Sequence, residues 1–456
     1  MKIHVKKFGL LDQADFEVGD LTIICGRNNT GKSYATYLVY DFLRVWDNLV
    51  ELDISESDIS KLLEEGSIKL DMKQYIDRNS ELLKEACKEF KKMLPSLFSS
   101  KEDYFNDTEI VVIPSESEKD FLDCYKTSSK VIIGSAKNEI LQILKESNSY
   151  DVLVSIMGEK DRMEYLPLPL LRDQIQNVIA KIVFKNIFRN PFIATVERTG
   201  VALFKDDLNI PLTRLSKQSD IRQASDLLKL FDAIYRSYAM PVTDNLDYAK
   251  RLFKEQDTES FIQKEHKEII EAFLEISEGK YKVTQQGIYY KSKIPNSKWL
   301  TLIESSSSVR ALMMLWFYLH HTAKPGDILL IDEPELSLHP ENQRKMARLF
   351  ARLVNVGMKV FVTTHSDYII KELNTLIMFN QDRPHLSNLM NKKSYSKAEL
   401  ISTKQLRVYV AEKKRKIGYT LIPADLDPQL GIEARSFDDS INDMNRTQDE
   451  ILFGEE

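Results

Sequence analysis

Cysteine is scarce in this 456-residue chain: Cys25, Cys87 and Cys124 are an odd number without Cys-x-x-Cys spacing, which argues against a disulfide framework or a thiolate zinc site. Long apolar runs are missing as well. A membrane-spanning helix needs about 18 apolar residues in succession, and the longest stretch here, Ala311 to Leu319, has nine. Fifteen glycines and fourteen prolines are too few for a collagen-like or low-complexity chain, and 43% hydrophobic residues exclude wholesale disorder. The N-terminus carries Lys2, Lys6 and Lys7 but no apolar stretch behind them, so no signal peptide is expected. What remains is a soluble, cytoplasmic α/β protein, long enough for roughly two to four domains.

The net charge of −6 conceals an asymmetry. Residues 423–456 carry ten acids against Arg435 and Arg446, a balance of −8, so residues 1–422 sum to +2. Just upstream, residues 392–416 carry nine Lys or Arg against Glu399 and Glu412, a balance of +7. This overall charge argues against a nucleic-acid coat but leaves room for a local basic face.

Two motifs carry the chemistry. Gly26-Arg27-Asn28-Asn29-Thr30-Gly31-Lys32-Ser33 fits G-x-x-x-x-G-K-[ST]. It follows an apolar run, residues 21–25, that reads as a strand buried on both faces, and precedes a helical stretch over 31–50. The loop amides and the helix start would cradle phosphates, Lys32 would reach the β- and γ-phosphates, and the Ser33 hydroxyl would ligate magnesium. The second motif is Ile328-Leu329-Leu330-Ile331-Asp332-Glu333. Two acids at the carboxyl end of a buried strand are costly unless a cation or phosphate uses them. Asp332 suits a magnesium contact, and Glu333 suits a base that polarises the attacking water.

The 300 residues between Lys32 and Asp332 exceed what one or two βα units can fill. With Pro334-Glu335-Leu336-Ser337-Leu338-His339-Pro340 and Val360-Phe361-Val362-Thr363-Thr364-His365-Ser366, the chain resembles ABC-type ATPase heads. More narrowly it is similar to the OLD/RecF-like (AAA_15/AAA_21-type) branch. The resemblance is good over the first 40 residues and about 300–380. It implies a D-loop after the acidic pair, His365 as switch histidine near the γ-phosphate, and ATP with Mg2+ as ligands. It also implies a head that dimerises, or forms a higher homo-oligomer, around ATP. The signature turn of such heads corresponds to Glu304-Ser305-Ser306-Ser307-Ser308, which lacks the usual glycines. Ser306 and Ser307 stand where the partner's γ-phosphate would be capped, although an ordinary serine helix cap fits the same residues. Glu197 and Arg198 lie near where a Q-loop would fall, or form a structural ion pair.

The expected fold is an α/β ABC-type P-loop head split by a long insertion of helices and small strands. Residues 1–48 and 192–380 form the head, with a helical segment at 220–278. Residues 49–191 form the insertion, with strands at 109–113, 130–133 and 151–156 and a helix between the last two. Residues 304–380 alternate helix and strand three times. Residues 381–456 form a basic hairpin, 404–416, and an acidic tail paired to it. Asp425-x-Asp427 invites comparison with a Toprim nuclease, but the upstream Glu-Gly turn is missing and 75 residues are few for that domain. Likeness to ATPase subunits without their own nuclease, as in antiphage systems such as PARIS or Septu, implies an ATP-driven sensor that controls a separate effector nuclease or toxin. The rival readings are a DNA-repair or SMC-like ATPase gripping DNA through 392–416, and a slow-turnover, nucleotide-gated scaffold.

Overall fold

The structure is a computed structural model that describes residues 1–114, 124–135, 138–157, 168–184, 187–204, 238–433 and 435–454. The chain divides into two compact units.

The first unit comprises Met1–His4, Phe42–Met93 and Glu109–Asn190. Its sheet is antiparallel throughout, in the order Ser67–Asp71, Asp151–Ile156, Asn138–Lys145, Ser129–Ser135. Phe42, Trp46, Phe90, Phe184 and Phe188 interlock as an aromatic core in this unit. Residues 138–145, expected as a helix, are a strand. Their apolar spacing fits both periods, and pairing on both edges decides for the strand. Leu141, Ile143 and Lys145 then alternate inward. The buried Lys145 ammonium is satisfied by the carbonyls of Tyr125, Thr127 and Glu146 at 3.1, 2.6 and 3.0 Å.

The second unit comprises Val5–Asp41, Leu94–Thr108 and Pro191–Glu456. It is built on a six-stranded mixed sheet in the order Gly418–Pro423, Leu406–Lys414, Leu21–Gly26, Lys359–Thr364, Ile328–Asp332, Pro191–Ala194. All adjacent pairs are parallel except the first, an antiparallel hairpin. Leu21–Gly26 and Ile328–Asp332 are buried at every residue, as strands covered on both faces must be. Helix Pro340–Asn355 lays Met346, Leu349, Phe350 and Leu353 into this core, each worth about 1.5–3 kcal/mol relative to exposure. The helix begins at Pro340 behind the His339 cap, and Gly357, at φ +88°, turns the chain back into the next strand.

Three sequence expectations change here. The basic hairpin, expected outside the head, belongs to the head's sheet: Leu406–Lys414 pairs in parallel with the phosphate-loop strand, so that sheet continues well past residue 380. After helix Asp367–Phe379 comes another helix, Pro384–Lys392, and the next strand begins only at Leu406. The acidic tail is a helix, Arg435–Phe453, whose side chains from Asp443 to Leu452 are all exposed rather than packed on the hairpin. Asp427 caps its own turn, accepting the amides of Gln429 and Leu430 at 2.6 and 2.9 Å, which gives it a local structural task. The expected helical stretch 220–278 is seen from 240 onward as Met240–Glu255, Phe261–Glu265 and Lys267–Ser277; residues 220–237 lie outside the described residues. All three cysteines are free and buried. Among the described residues no helix is long and apolar enough to cross a membrane.

Candidate nucleotide site

Three adjacent parallel strands bring the sequence motifs together at their carboxyl ends, where open α/β sheets bind ligands. Lys359–Thr364 lies between the other two, with Thr364 opposite Cys25 and Thr363 opposite Asp332. Strands some 300 residues apart in sequence thus present the phosphate loop, the acidic pair and His365 on one edge.

The loop itself needs its glycines. Gly26, at φ +133°, faces Ala411 of the C-terminal hairpin, whose carbonyl oxygen would stand 2.4 Å from any added Cβ. Gly31 is at φ +92°, a region that side chains avoid. Arg27, Asn28 and Asn29 are exposed, and the Thr30 hydroxyl donates to the Arg27 carbonyl at 2.8 Å, closing the turn. Helix Lys32–Leu49 starts directly behind. The Lys32 ammonium is buried and donates to the carbonyls of Gly26 and Arg27 at 3.2 and 2.7 Å. Burial draws its pKa down, opposed chiefly by Glu333 and then Asp332.

Asp332 is 1% exposed. Its Oδ1 accepts from the Thr363 hydroxyl, while Oδ2 is buried and makes no hydrogen bond of normal geometry. Burial raises its pKa; the Thr363 and then the Ser33 hydroxyls pull it back. An orphaned carboxylate oxygen beside an exposed serine hydroxyl at the start of the phosphate-loop helix fits a hard divalent cation. Among the described residues no group of three or more His, Cys, Asp or Glu is arranged to hold a metal by itself. A cation at Ser33 and Asp332 would therefore complete its shell with phosphate oxygens and water.

Glu333 sits at φ +51°, in the left-handed region that non-glycine residues seldom adopt. Its amide donates to the Thr363 carbonyl at 3.1 Å, and its Oε1 stands 3.4 Å from His365 Nε2. The His365 contact holds the Glu333 carboxyl below its usual range against partial burial, helped by Lys32 and Arg198. Glu335 fixes His365 from the other side. It accepts the His365 amide at 2.5 Å and the Thr364 hydroxyl at 2.9 Å, and burial raises its own pKa. Ser366 caps the next helix by accepting the Ile369 amide at 3.2 Å.

Arg198 has a part that the sequence reading did not assign. It is 3% exposed, and its guanidinium donates to four carbonyls: Ala311 at 3.1 Å, Thr195 at 2.8 Å, Asp332 at 2.7 Å and Glu333 at 2.6 Å. It thereby ties the acidic strand end to helix Ser307–Phe317. Burial pushes Arg198 down to about 10, with the nearby carboxylates working the other way. The sequence offered no signal for this, because backbone carbonyls have no residue identity. The ion pair with Glu197 is not what is seen: Glu197 instead accepts from the Tyr37 hydroxyl at 3.1 Å.

Among the described residues the serine turn makes no hydrogen bond to the other motifs. Ser306 caps helix Ser307–Phe317 by accepting the Val309 amide at 3.4 Å, and its hydroxyl lies 2.9 Å from that of Ser308. Ser306 and Ser307 are exposed, whereas Ser305 is buried with its hydroxyl on the Thr301 carbonyl at 2.7 Å. Its tie to the site runs through the helix to Ala311 and Arg198.

Among solved structures, several SMC head domains align over nearly their whole length. The SMC head bound to the C-winged helix domain of ScpA is 11% identical, with 93% of this chain and 98% of that one covered and a TM-score of 0.34. The SMC head domain from Thermotoga maritima is 10% identical, with coverage of 93% and 98% and a TM-score of 0.31. The Smc head with an extended coiled coil, bound to the C-terminal domain of ScpA from Pyrococcus furiosus, is 12% identical, with 98% of both chains covered and a TM-score of 0.31. No curated protein matches the sequence significantly. The family model described as "AAA ATPase domain" (AAA_15) matches residues 1–370, a span that holds the phosphate loop, Asp332, Glu333 and His365, and the chain belongs to that family.

Proposed function

We propose that this protein binds and hydrolyses ATP at the strand edge that joins Lys32, Asp332, Glu333 and His365. The observation that carries the reading is the convergence of Glu333 and His365, 3.4 Å apart, beside a phosphate-type loop and a buried, unpartnered Asp332 oxygen. The loop amides and Lys32 hold the triphosphate, exchanging the lysine's carbonyl contacts for phosphate oxygens. Ser33 and Asp332 hold Mg2+, which neutralises charge on the phosphates when bound. Glu333, kept ionised by His365, accepts a proton from the attacking water, and Glu335 fixes the His365 backbone so that the imidazole stays on that side.

Each site is completed by a second copy of the chain. Ser306 and Ser307 are exposed at a helix start and make no hydrogen bond to the phosphate loop of their own chain among the described residues, which suits them to an anion held by a partner. The role that the OLD/RecF-like resemblance supports is that of an ATP-driven sensor in an antiphage system, holding or releasing a separate effector nuclease.

Mixing inactive variants tests the shared site. Lys32→Ala should abolish tight ATP binding, because the phosphates lose their main cation. Ser307→Arg should block the helix start by bulk. In mixed dimers, verified by tag pull-down, one site is intact in both parts and ATPase should partly return. Verified mixed dimers without recovered turnover would refute independent shared sites.

A further inference from the structure

The small antiparallel sheet of Gly279–Thr284, Gly287–Ser292 and Leu300–Thr301 has two unlike faces. Tyr281, Val283, Ile288 and Tyr290 are buried, and the Tyr281 hydroxyl donates to the Val309 carbonyl at 2.6 Å, which fixes that face to helix Ser307–Phe317. The alternate residues point the other way. The register sets Lys280 opposite Lys291, and Lys282 opposite Tyr289, which itself stands opposite Thr301.

Like charges directly across a strand pair destabilise a sheet, and here no ion pair with a described residue offsets them. Between Glu278 and Glu304 the chain carries five lysines (Lys280, Lys282, Lys291, Lys293 and Lys298) and not one Asp or Glu. None of the five forms an ion pair with a described residue, although the chain as a whole is acidic. The Lys282 ammonium lies 4.2 Å from the centre of the Trp299 ring and 5.4 Å from that of Tyr289. Trp46 and Trp316 are only 6% and 8% exposed, whereas Trp299 is half-buried. Unpaired cations in a row call for a ligand with repeated negative charge, and accessible rings among them call for flat groups between those charges.

We propose that this face binds single-stranded nucleic acid, the lysines taking successive phosphates while Trp299 and Tyr289 stack on unpaired bases. A duplex keeps its bases stacked within itself and cannot use the rings. The site is separate from the proposed nucleotide site and does not rest on that reading. It does adjoin the serine turn. Glu304 accepts the Thr301 amide and hydroxyl at 2.8 and 2.9 Å, and Ser305 donates to the Thr301 carbonyl at 2.7 Å. A strand laid on this face therefore presses on the segment that carries Ser306 and Ser307.

The experiment uses the full chain and a labelled oligothymidine of about 20 nucleotides, followed by anisotropy across a salt series and by tryptophan emission. Binding should weaken with salt at a logarithmic slope of about −0.7 for each phosphate engaged, hence about −3 for four or five lysines. Trp299 emission should be quenched. Lys280→Gln with Lys291→Gln should weaken binding about tenfold or more while the melting temperature does not fall, since the cross-strand repulsion is relieved. Trp299→Leu should remove the quench and weaken binding by roughly 5- to 100-fold. Three results would overturn the assignment: no binding at low salt, equal affinity for duplex with unchanged emission, or loss of binding in Lys413→Gln with Lys414→Gln while the Lys280/Lys291 variant binds normally. The last would put the site on the C-terminal hairpin.

Discussion

Replacing Arg198 by lysine should loosen the acidic strand end without altering any side chain proposed to touch nucleotide. The guanidinium spans four carbonyls on three segments, at 2.6 to 3.1 Å. A lysine ammonium has a compact head and three donors, so it cannot cover that span. At least two buried carbonyls then lose their partner. Hydrogen bonds to a charged group contribute about 1.5–3 kcal/mol each, so the loss is about 4 kcal/mol. The compact unit that holds Arg198 has about 300 residues. With an unfolding entropy of about 2.1 cal/mol/K per residue, that loss lowers the unit's melting midpoint by about 6 °C. Thermal unfolding measures the midpoint, and hydrogen exchange reads the amides of Asp332 and Glu333, which should exchange faster. Turnover should fall more than ATP affinity, since the phosphate loop keeps its own bonds. A midpoint within about 1 °C of the parent, with unchanged exchange at those amides, would refute the stapling role.

The other predictions concern side chains nearby. His365→Ala removes the contact that chiefly lowers the Glu333 pKa. Hydrolysis should drop by about 10- to 100-fold with ATP binding little changed, and the acid limb of the pH profile should move upward; an unmoved limb would show that the histidine does not tune Glu333. Asp41 is fully buried, neither of its oxygens has a hydrogen-bond partner among the described residues, and burial and then Asp244 hold its carboxyl well above the usual range. A pKa raised in the fold gives stability that is present at acid pH and declines as pH climbs above the unfolded value. Asp41→Asn should therefore raise the melting temperature at pH 7.5, with the gain shrinking toward pH 4.5. A gain independent of pH would contradict that charge-based reasoning.

The legible parts of this molecule are those that depend on local sequence. The phosphate loop, the acidic strand end and the histidine strand each announce themselves by an apolar run followed by polar residues of fixed spacing, and the sheet places all three side by side. What was not legible depends on distant partners. Asn138–Lys145 could serve as helix or strand until its two neighbours were known. Leu406–Lys414 was placed outside the head because residues 404–416 are so rich in lysine and arginine, yet only its outer end, Glu412 to Lys414, is exposed, while Leu406 to Ala411 line up beside the phosphate-loop strand. Arg198 escaped assignment because its four partners are main-chain oxygens. Glu335 lay inside a motif that was read, but its grip on the His365 amide requires the chain to fold back from residue 365.

The most direct test of the proposed chemistry is Glu333→Gln, assayed in parallel for retained radiolabelled ATP and for phosphate release. The amide keeps the size and hydrogen bonding of the side chain but cannot take a proton. ATP should stay bound, and hydrolysis should fall by about 100-fold or more. Normal hydrolysis by Glu333→Gln would remove Glu333 as the base, and loss of binding in the same variant would contradict a site in which Lys32 and the loop alone hold the phosphates.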